Sequence, residues 1–304
     1  MPNDNLILNE IRRAIQKFGT TDVVDMDDHF KHKFEFQVFR FEDLLRDTSR
    51  SIPPNKWSYY RIGLIKQGTG EFTTGIYKYG ASKNTLVVIP SRVITSSRNW
   101  SLDLEGYILL FNMDFFIQSN FPHQYIESKK ILSSSLQPYV RLTDDQAKEA
   151  EDIFETILRE KESNDNHKDE LIALKIIELL IFSERLFEEQ LQLEVNIPAV
   201  DIIKRFSELL EANFTKERSV GFYASELNIH PNHLNLLIKR HTGFTAKETI
   251  QSRLLLETKY LLHSTQLSIK EISNQVGFND PNYFTVFFKR LENMSPANYR
   301  SSFI

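Results

Sequence analysis

Apolar positions recur at helical spacing at both ends of the chain and at strand-like spacing between them. Residues 6–18 place Leu8, Ile11, Ile15 and Phe18 on one side, an amphipathic helix or arm. Between 34 and 111 the runs shorten and fill with aromatic and β-branched residues. Strands are expected over 34–41, 59–66, 71–79, 85–89, 93–97 and 106–111, punctuated by Gly68, Gly70, Gly75, Gly80, Pro90 and Asn99. Short, closely spaced strands with polar turns read as an antiparallel sandwich or small barrel. Residues 115–141 show no regular pattern. Helical periodicity returns over 143–161, where Thr143 caps and Ala147, Ala150, Ile153, Phe154, Ile157 and Leu158 form the apolar face. The next helix, 170–193, is so apolar that only Lys175, Glu178, Glu184 and Arg185 interrupt its middle. It is either buried against the barrel and the preceding helix or an interface between two copies, on different faces if both hold. Residues 196–199 read as a linker, and 200–214 as a helix supporting the C-terminal motifs.

The C-terminal third says one thing twice. Ser268 and Glu271 have the spacing of a capping box, and Ile272 and Val276 mark an apolar face. Gly277 stands where a helix end needs a left-handed residue, with Phe278 packing beneath it. Asp280 is the next N-cap and Pro281 the first helical residue. Phe284, Phe287, Phe288 and Leu291 make that helix's buried face, leaving Asn282, Thr285, Val286 and Lys289 outward. With a 50-residue offset, PNHLNLLIKR (231–240) repeats PNYFTVFFKR (281–290), with Pro, Asn, Lys and Arg identical in place. Leu234, Leu237 and Ile238 repeat the core face, and Asn228 stands where the second copy has Gly277. Two helix-turn-helix units, each with one face glued down and one offered outward, are the reading. A stacked helical array needs about three copies to bury a core.

The stretches GFNDPNYFTVFFKRLENMSPANYR (277–300) and HPNHLNLLIKRHTGFT (230–245) resemble the AraC/XylS transcription regulators over about residues 200–300. The family often has Gly at Asn293 and Arg at Leu236 and Val286, so this chain departs at two outward positions. Residues 57–111 loosely resemble the cupin-like sensing domain of many relatives, through Tyr60-Arg61-Ile62, Gly68, Gly70, Pro90, Trp100 and Gly106-Tyr107. The resemblance implies an α+β chain of two domains. Residues 1–195 would be a cupin-like sensing and dimerisation domain, with a barrel over about 30–112 and helices over about 143–193. Residues 200–304 would be an all-α DNA-binding domain, with motifs at about 220–242 and 268–292. It further implies a dimeric regulator in the cytoplasm, controlled by a small-molecule effector and meeting RNA polymerase if it activates.

The candidate DNA-binding residues are His230, Asn232, His233, Asn235, Leu236, Lys239 and Arg240 in the first motif. Asn282, Tyr283, Thr285, Val286, Lys289 and Arg290 stand in the second. Asn grips adenine with two hydrogen bonds, and Thr offers a hydroxyl and a methyl. His233 and Tyr283 reach bases or phosphates, while the Lys and Arg pairs suit phosphate. A connecting helix over about 246–262 spans roughly 26 Å, which with its flanks allows recognition helices near 34 Å apart, one turn of DNA.

Charge refines this picture. The net charge is −4, but residues 199–304 hold 13 Lys and Arg against 10 Asp and Glu, +3, leaving −7 for 1–198. Four of the eight His lie in the C-terminal part. The absence of Cys excludes disulfides, thiolate metal sites and Cys nucleophiles. The start, MPNDNLILNEIRR, has no signal-peptide pattern, and no apolar run approaches the ~20 residues of a membrane span. Asp25, Asp27, Asp28, His29 and His32 match no metal-ligand spacing and read as an acidic loop. A cupin enzyme with an appended DNA-binding domain is the alternative, but 57–121 contains no His to hold a metal. The expectation is a non-enzyme without cofactor or metal. A module whose helices contact only protein is a third reading. The barrel either binds a small molecule through aromatics and Arg61 or has a filled core.

Overall fold

The computed structural model describes residues 4–17, 30, 34–45, 50–119, 121–132, 137–194 and 197–302. Helix α1 (Asp4–Lys17) precedes β1 (Phe36–Arg40), a short helix α2 (Phe41–Leu44) and β2 (Ile52–Asn55). Then come β3 (Tyr60–Gln67), β4 (Gly70–Thr74), β5 (Tyr77–Ala81), β6 (Thr85–Ile89), β7 (Thr95–Arg98) and β8 (Glu105–Phe111). Helices α3 (Met113–Gln118) and α4 (His123–Glu127) lead to β9 (Tyr139–Arg141). Among the described residues the strands make two antiparallel sheets, ordered β1-β8-β3-β6-β9 and β2-β7-β4-β5. Strands β3 and β8 lie inside the larger sheet and are buried along most of their length, which explains their continuous apolar runs. In β5, by contrast, Tyr77, Tyr79 and Ala81 alternate with exposed Lys78 and Gly80.

Three sequence readings change here. The strand read over 71–79 is a hairpin, because Gly75 turns at φ 54° and splits it into β4 and β5. The segment IPPN, to which the sequence reading gives no element, is β2, at the edge of the smaller sheet where a missing N–H costs nothing. The described residues of 115–141 hold part of α3, then α4 and β9, elements too short to show a period. The cluster Asp25, Asp27, Asp28, His29 and His32 and the end of the N-terminal stripe at Phe18 lie outside the described residues. Helix α1 packs Ile7, Ile11, Ala14 and Ile15 against Phe39, Leu44, Trp57 and Tyr59.

Helix α5 (Asp144–Glu162) starts with the capping box of Thr143 and Gln146, and α6 (Lys168–Glu194) comes next. Both cover the outer face of the larger sheet. Ile153, Phe154, Ile157, Ile172, Ala173, Ile176, Leu179 and Leu180 join Ile62, Leu64, Tyr107 and Leu109 in one core. The opposite side of α6 leaves Leu171 and Leu174 exposed, so this helix has both a core face and an uncovered apolar one. Helix α7 (Ile197–Asn213) begins inside the segment 196–199 read as a linker. Pro198 permits this, since a proline in a helix's first turn forfeits no internal hydrogen bond.

The remaining helices are α8 (Val220–Glu226), α9 (Pro231–Thr242), α10 (Ala246–Ser264), α11 (Ile269–Gln275), α12 (Pro281–Glu292) and α13 (Pro296–Ser301). The two units α8–α9 and α11–α12 match in detail. Asn228 (φ 55°) and Gly277 (φ 81°) both take the left-handed turn. Gly277 has a second duty. A Cβ there would sit 1.9 Å from the Thr215 carbonyl oxygen, and Arg218 donates to the carbonyls of Val276 and Gly277 while lying 3.7 Å over the Phe278 ring. The loop before the first unit thus clasps the turn of the second. Gly277→Ala is therefore expected to destabilise the chain by about 3 kcal/mol, from backbone strain plus the clash. Asn228→Gly is expected to stay within about 1 kcal/mol of wild type. Urea midpoints of the two variants check this; equal losses would show that the clasp does not matter.

Candidate nucleic-acid interface

Each recognition helix is held by apolar side chains on one face. In α9, Leu234, Leu237 and Ile238 are buried; in α12, Phe284, Phe287 and Phe288. The same burial rhythm runs through both helices: positions 232, 233, 236, 239 and 240 are exposed, as are 282, 283, 286, 289 and 290. Leu236 is 47% exposed and Val286 63%, so the two aliphatic departures stand in solvent rather than in a core. Tyr283, also 63% exposed, leans on Phe278 with ring centres 5.8 Å apart. Among the described residues, no ion pair holds Lys239, Arg240, Lys289 or Arg290. Their charges are available to an anionic surface.

The remaining candidates are partly committed to the helices themselves. His230 is the N-cap of α9, its Nδ1 accepting from the Asn232 amide at 3.2 Å, as Asp280 Oδ1 does for Asn282 at 2.8 Å in the second unit. Asn235 is half-buried, and its Oδ1 accepts from the Ala246 amide at 3.1 Å, which fastens the start of α10. The matched Thr285 donates its hydroxyl to the Pro281 carbonyl at 2.9 Å. The bond from Ala246 takes one of the two lone pairs of the oxygen an adenine fork at Asn235 would use. The outward stripe that remains is Asn232, His233, Leu236, Lys239 and Arg240, with Asn282, Tyr283, Val286, Lys289 and Arg290.

What fixes the two stripes relative to each other lies behind them. Helix α10 runs 19 residues, about 28 Å at 1.5 Å per residue. Its Arg253 is buried and reaches Glu211 Oε1 of α7 at 2.8 Å and Glu257 Oε2 at 3.0 Å, with the guanidinium 4.0 Å over Phe214. The two carboxylates hold Arg253 firmly charged, outweighing the burial that opposes it. Lys259 pairs with Glu292 at 2.6 Å, tying α10 to the end of α12. Sequence reasoning missed Arg253 and Arg218. An arginine inside the apolar run of α10, with Glu257 four residues on, was the available signal for the first; the second sat unremarked in a turn.

The N-terminal region docks beside the stripes rather than across them. Tyr77 stands edge-on to His241, ring centres 5.9 Å apart, and Lys78 lies 5.4 Å over Phe244. Burial lowers the His241 pKa, so the ring facing Tyr77 favours its neutral form. Lys56 sits 4.8 Å over Tyr260 of α10. Among the described residues, no helix is long and apolar enough to cross a membrane, and no group of three or more His, Asp or Glu is placed to hold a metal.

Residues 223–302 match the model of a family described as a helix-turn-helix domain. Histidine kinase P4 of Formosa agariphila is 32% identical over 113 residues, 36% of this chain and 8% of that protein. The lactose operon transcription activator of Staphylococcus xylosus is 30% identical over 142 residues, 47% of this chain and 50% of that one. Among solved structures, ToxT from Vibrio cholerae is 18% identical, with a TM-score of 0.42 over 88% of this chain and 99% of its own. The chain spans half or less of the length of these two curated relatives. Tandem units with matched turns, caps and outward stripes agree with the family match: residues 223–302 form a helix-turn-helix domain of the AraC type.

Proposed function

We propose that this chain is a sequence-specific, double-stranded-DNA-binding transcription regulator rather than an enzyme. Residues 200–304 read DNA, and 1–195 sense a small molecule and dimerise. The observation that carries the reading is the matched pair of exposed stripes on α9 and α12, held as one body by Arg253 and Arg218. The S. xylosus relative is by its name a transcription activator, which supports the same reading and would bring RNA polymerase in as a partner. A cytoplasmic location is the one that DNA as the target requires. In this reading Asn232 and Asn282 meet adenine edges, Lys239 and Lys289 meet phosphates, and His233, Tyr283, Arg240 and Arg290 flank them. His230, Asn235 and Thr285 contribute chiefly by shaping the helices that carry the others.

The intact protein is expected to bind selected genomic fragments with an affinity that falls steeply with salt, because each neutralised phosphate releases counterions. Lys289→Ala should lower the slope of log affinity against log salt by about 1 and weaken all sequences alike. A salt-insensitive complex, or none at low salt, would sink the assignment.

Leu236 and Val286 give the operator a character. An aliphatic side chain in the major groove has one apolar partner, the thymine methyl. Selected sites should therefore lean to A·T, with thymine opposite these residues and a discrimination at or below the ~1 kcal/mol floor of a good base contact. Leu236→Arg should shift the preferred base toward guanine; an unchanged base preference would show that this side chain does not face the groove.

The dimer reading rests on α6, whose exposed Leu171 and Leu174 continue through Glu178, Ile181 and Arg185 at alternating spacings of three, four, three and four residues. Ile177 packs instead on the barrel's outer core, so Leu174 is the cleaner probe. Leu174→Glu is expected to give a folded monomer by light scattering and circular dichroism. A monomeric wild type would refute this interface.

A further inference from the structure

The interior of the N-terminal sandwich holds a cavity of about 120 Å³, and one buried charge faces it. Its walls are apolar: Ile65, Trp57, Phe72 and Trp100 with aliphatic neighbours, and among the described residues that line it there is no carboxylate. Arg61, on β3 and 7% exposed, crosses from one sheet toward the other and donates Nη1 to Thr95 Oγ1 at 3.0 Å. Its Nε and Nη2 are buried with no hydrogen-bond partner, and so is the Nε1 of Trp100 in the same cavity. Nε and Nη2 share one edge of the guanidinium, the parallel pair of donors that fits the two oxygens of a carboxylate.

The contrast with Arg253 gives this weight. Arg253 is equally buried but has two glutamates. Arg61 has burial and no counter-ion; its pKa falls to about 10, so it remains charged at neutral pH. The neighbouring Tyr79 does not neutralise it, because burial raises the phenol's pKa and keeps it protonated. A charge kept dry and unpaired destabilises a fold, and replacing it by an apolar side chain of similar size is commonly stabilising. An anion entering the cavity relieves that cost, and its remainder must be apolar to lie against these walls. The volume is close to that of an engineered apolar cavity of about 150 Å³ that takes benzene, which limits the body to about six or seven heavy atoms.

We infer that the cavity is a binding site for a small hydrophobic monocarboxylate, its two oxygens on Nε and Nη2 of Arg61 and its hydrocarbon part between Trp57, Phe72 and Trp100. This names the effector class for the sensing role proposed above and rests on that role only for its regulatory meaning. Neutral sugars fit poorly, since their hydroxyls would outnumber the free donors and acceptors of the walls.

The test uses the full-length protein with hexanoate, hexanol and acetate as probes, read by thermal shift and calorimetry. Hexanoate should raise the melting temperature and bind at least tenfold tighter than hexanol, which has the body without the charge. It should also bind at least tenfold tighter than acetate, which has the charge without the body. Arg61→Met should lose the hexanoate effect while melting at or above the temperature of the unliganded wild type. Arg61→Lys keeps the charge without the paired donors and should bind at least fivefold more weakly than wild type. Hexanol matching hexanoate on the wild type, no hexanoate binding at millimolar concentration, or Arg61→Met retaining hexanoate would each overturn the inference. DNA binding by the same wild-type preparation is scored separately. Its presence without hexanoate binding leaves the regulator reading standing, and its absence fails that reading whatever the cavity binds.

Discussion

Arg253 and its two glutamates set the geometry on which the two exposed helix stripes depend. A recognition helix is useful only in register with its partner, and two short helical units joined by one long helix would otherwise hinge. The guanidinium bridges α7 and α10, and it lies over Phe214, which packs against the core of the first unit and that of the second. Losing the guanidinium would leave the largely buried Glu257 without its partner, and breaking a buried pair in that way costs about 3–5 kcal/mol. Arg218 works at the other end of the pair. Its contacts with the turn at Gly277 join the loop before the first unit to the second, so the two are closed against each other at two separate places.

The same buried surface joins the domain to the sandwich. Tyr77, Tyr79 and Ala81 of the smaller sheet, with Ile76 in the turn before them, belong to one continuous core with Phe206, Leu210, Tyr223, Leu234 and Ile250. Helix α10 is therefore buried nearly all round, with Ile94 and β2 on one side and the two units on the others. A change inside the sandwich has a short path to the first recognition helix through Tyr77, His241 and Phe244. The cavity under Arg61 opens on Phe72 and Thr74 of β4, the strand that pairs with the one carrying Tyr77. Two buried arginines thus divide the labour. One is fully paired and holds shape; the other is left incomplete, a form in which a charged side chain is costly to structure and useful to binding.

Helical spacing, caps and turn residues are local properties, and they were legible without a structure. The cap at Thr143, the capping box at Ser268, the left-handed turns at Asn228 and Gly277, and the buried faces of α9 and α12 are each dictated by residues within one or two turns of chain. Duplication made the reading firmer, because the same local rules had to be met twice at one offset. Long-range partners left no such trace. Nothing near Arg61 in the chain says that its guanidinium will be walled in by β7 and the cavity, and nothing near Asn235 says that its oxygen will be taken by Ala246. Within the segment read as a linker, 196–199, helix α7 already begins at Ile197. The amino-acid order alone determined the long helices and, in the two repeated units, which faces point outward. The tertiary structure alone decided which polar atoms on those faces are already spent, because hydrogen bonds and ion pairs between distant segments are set by the packing that brings them together.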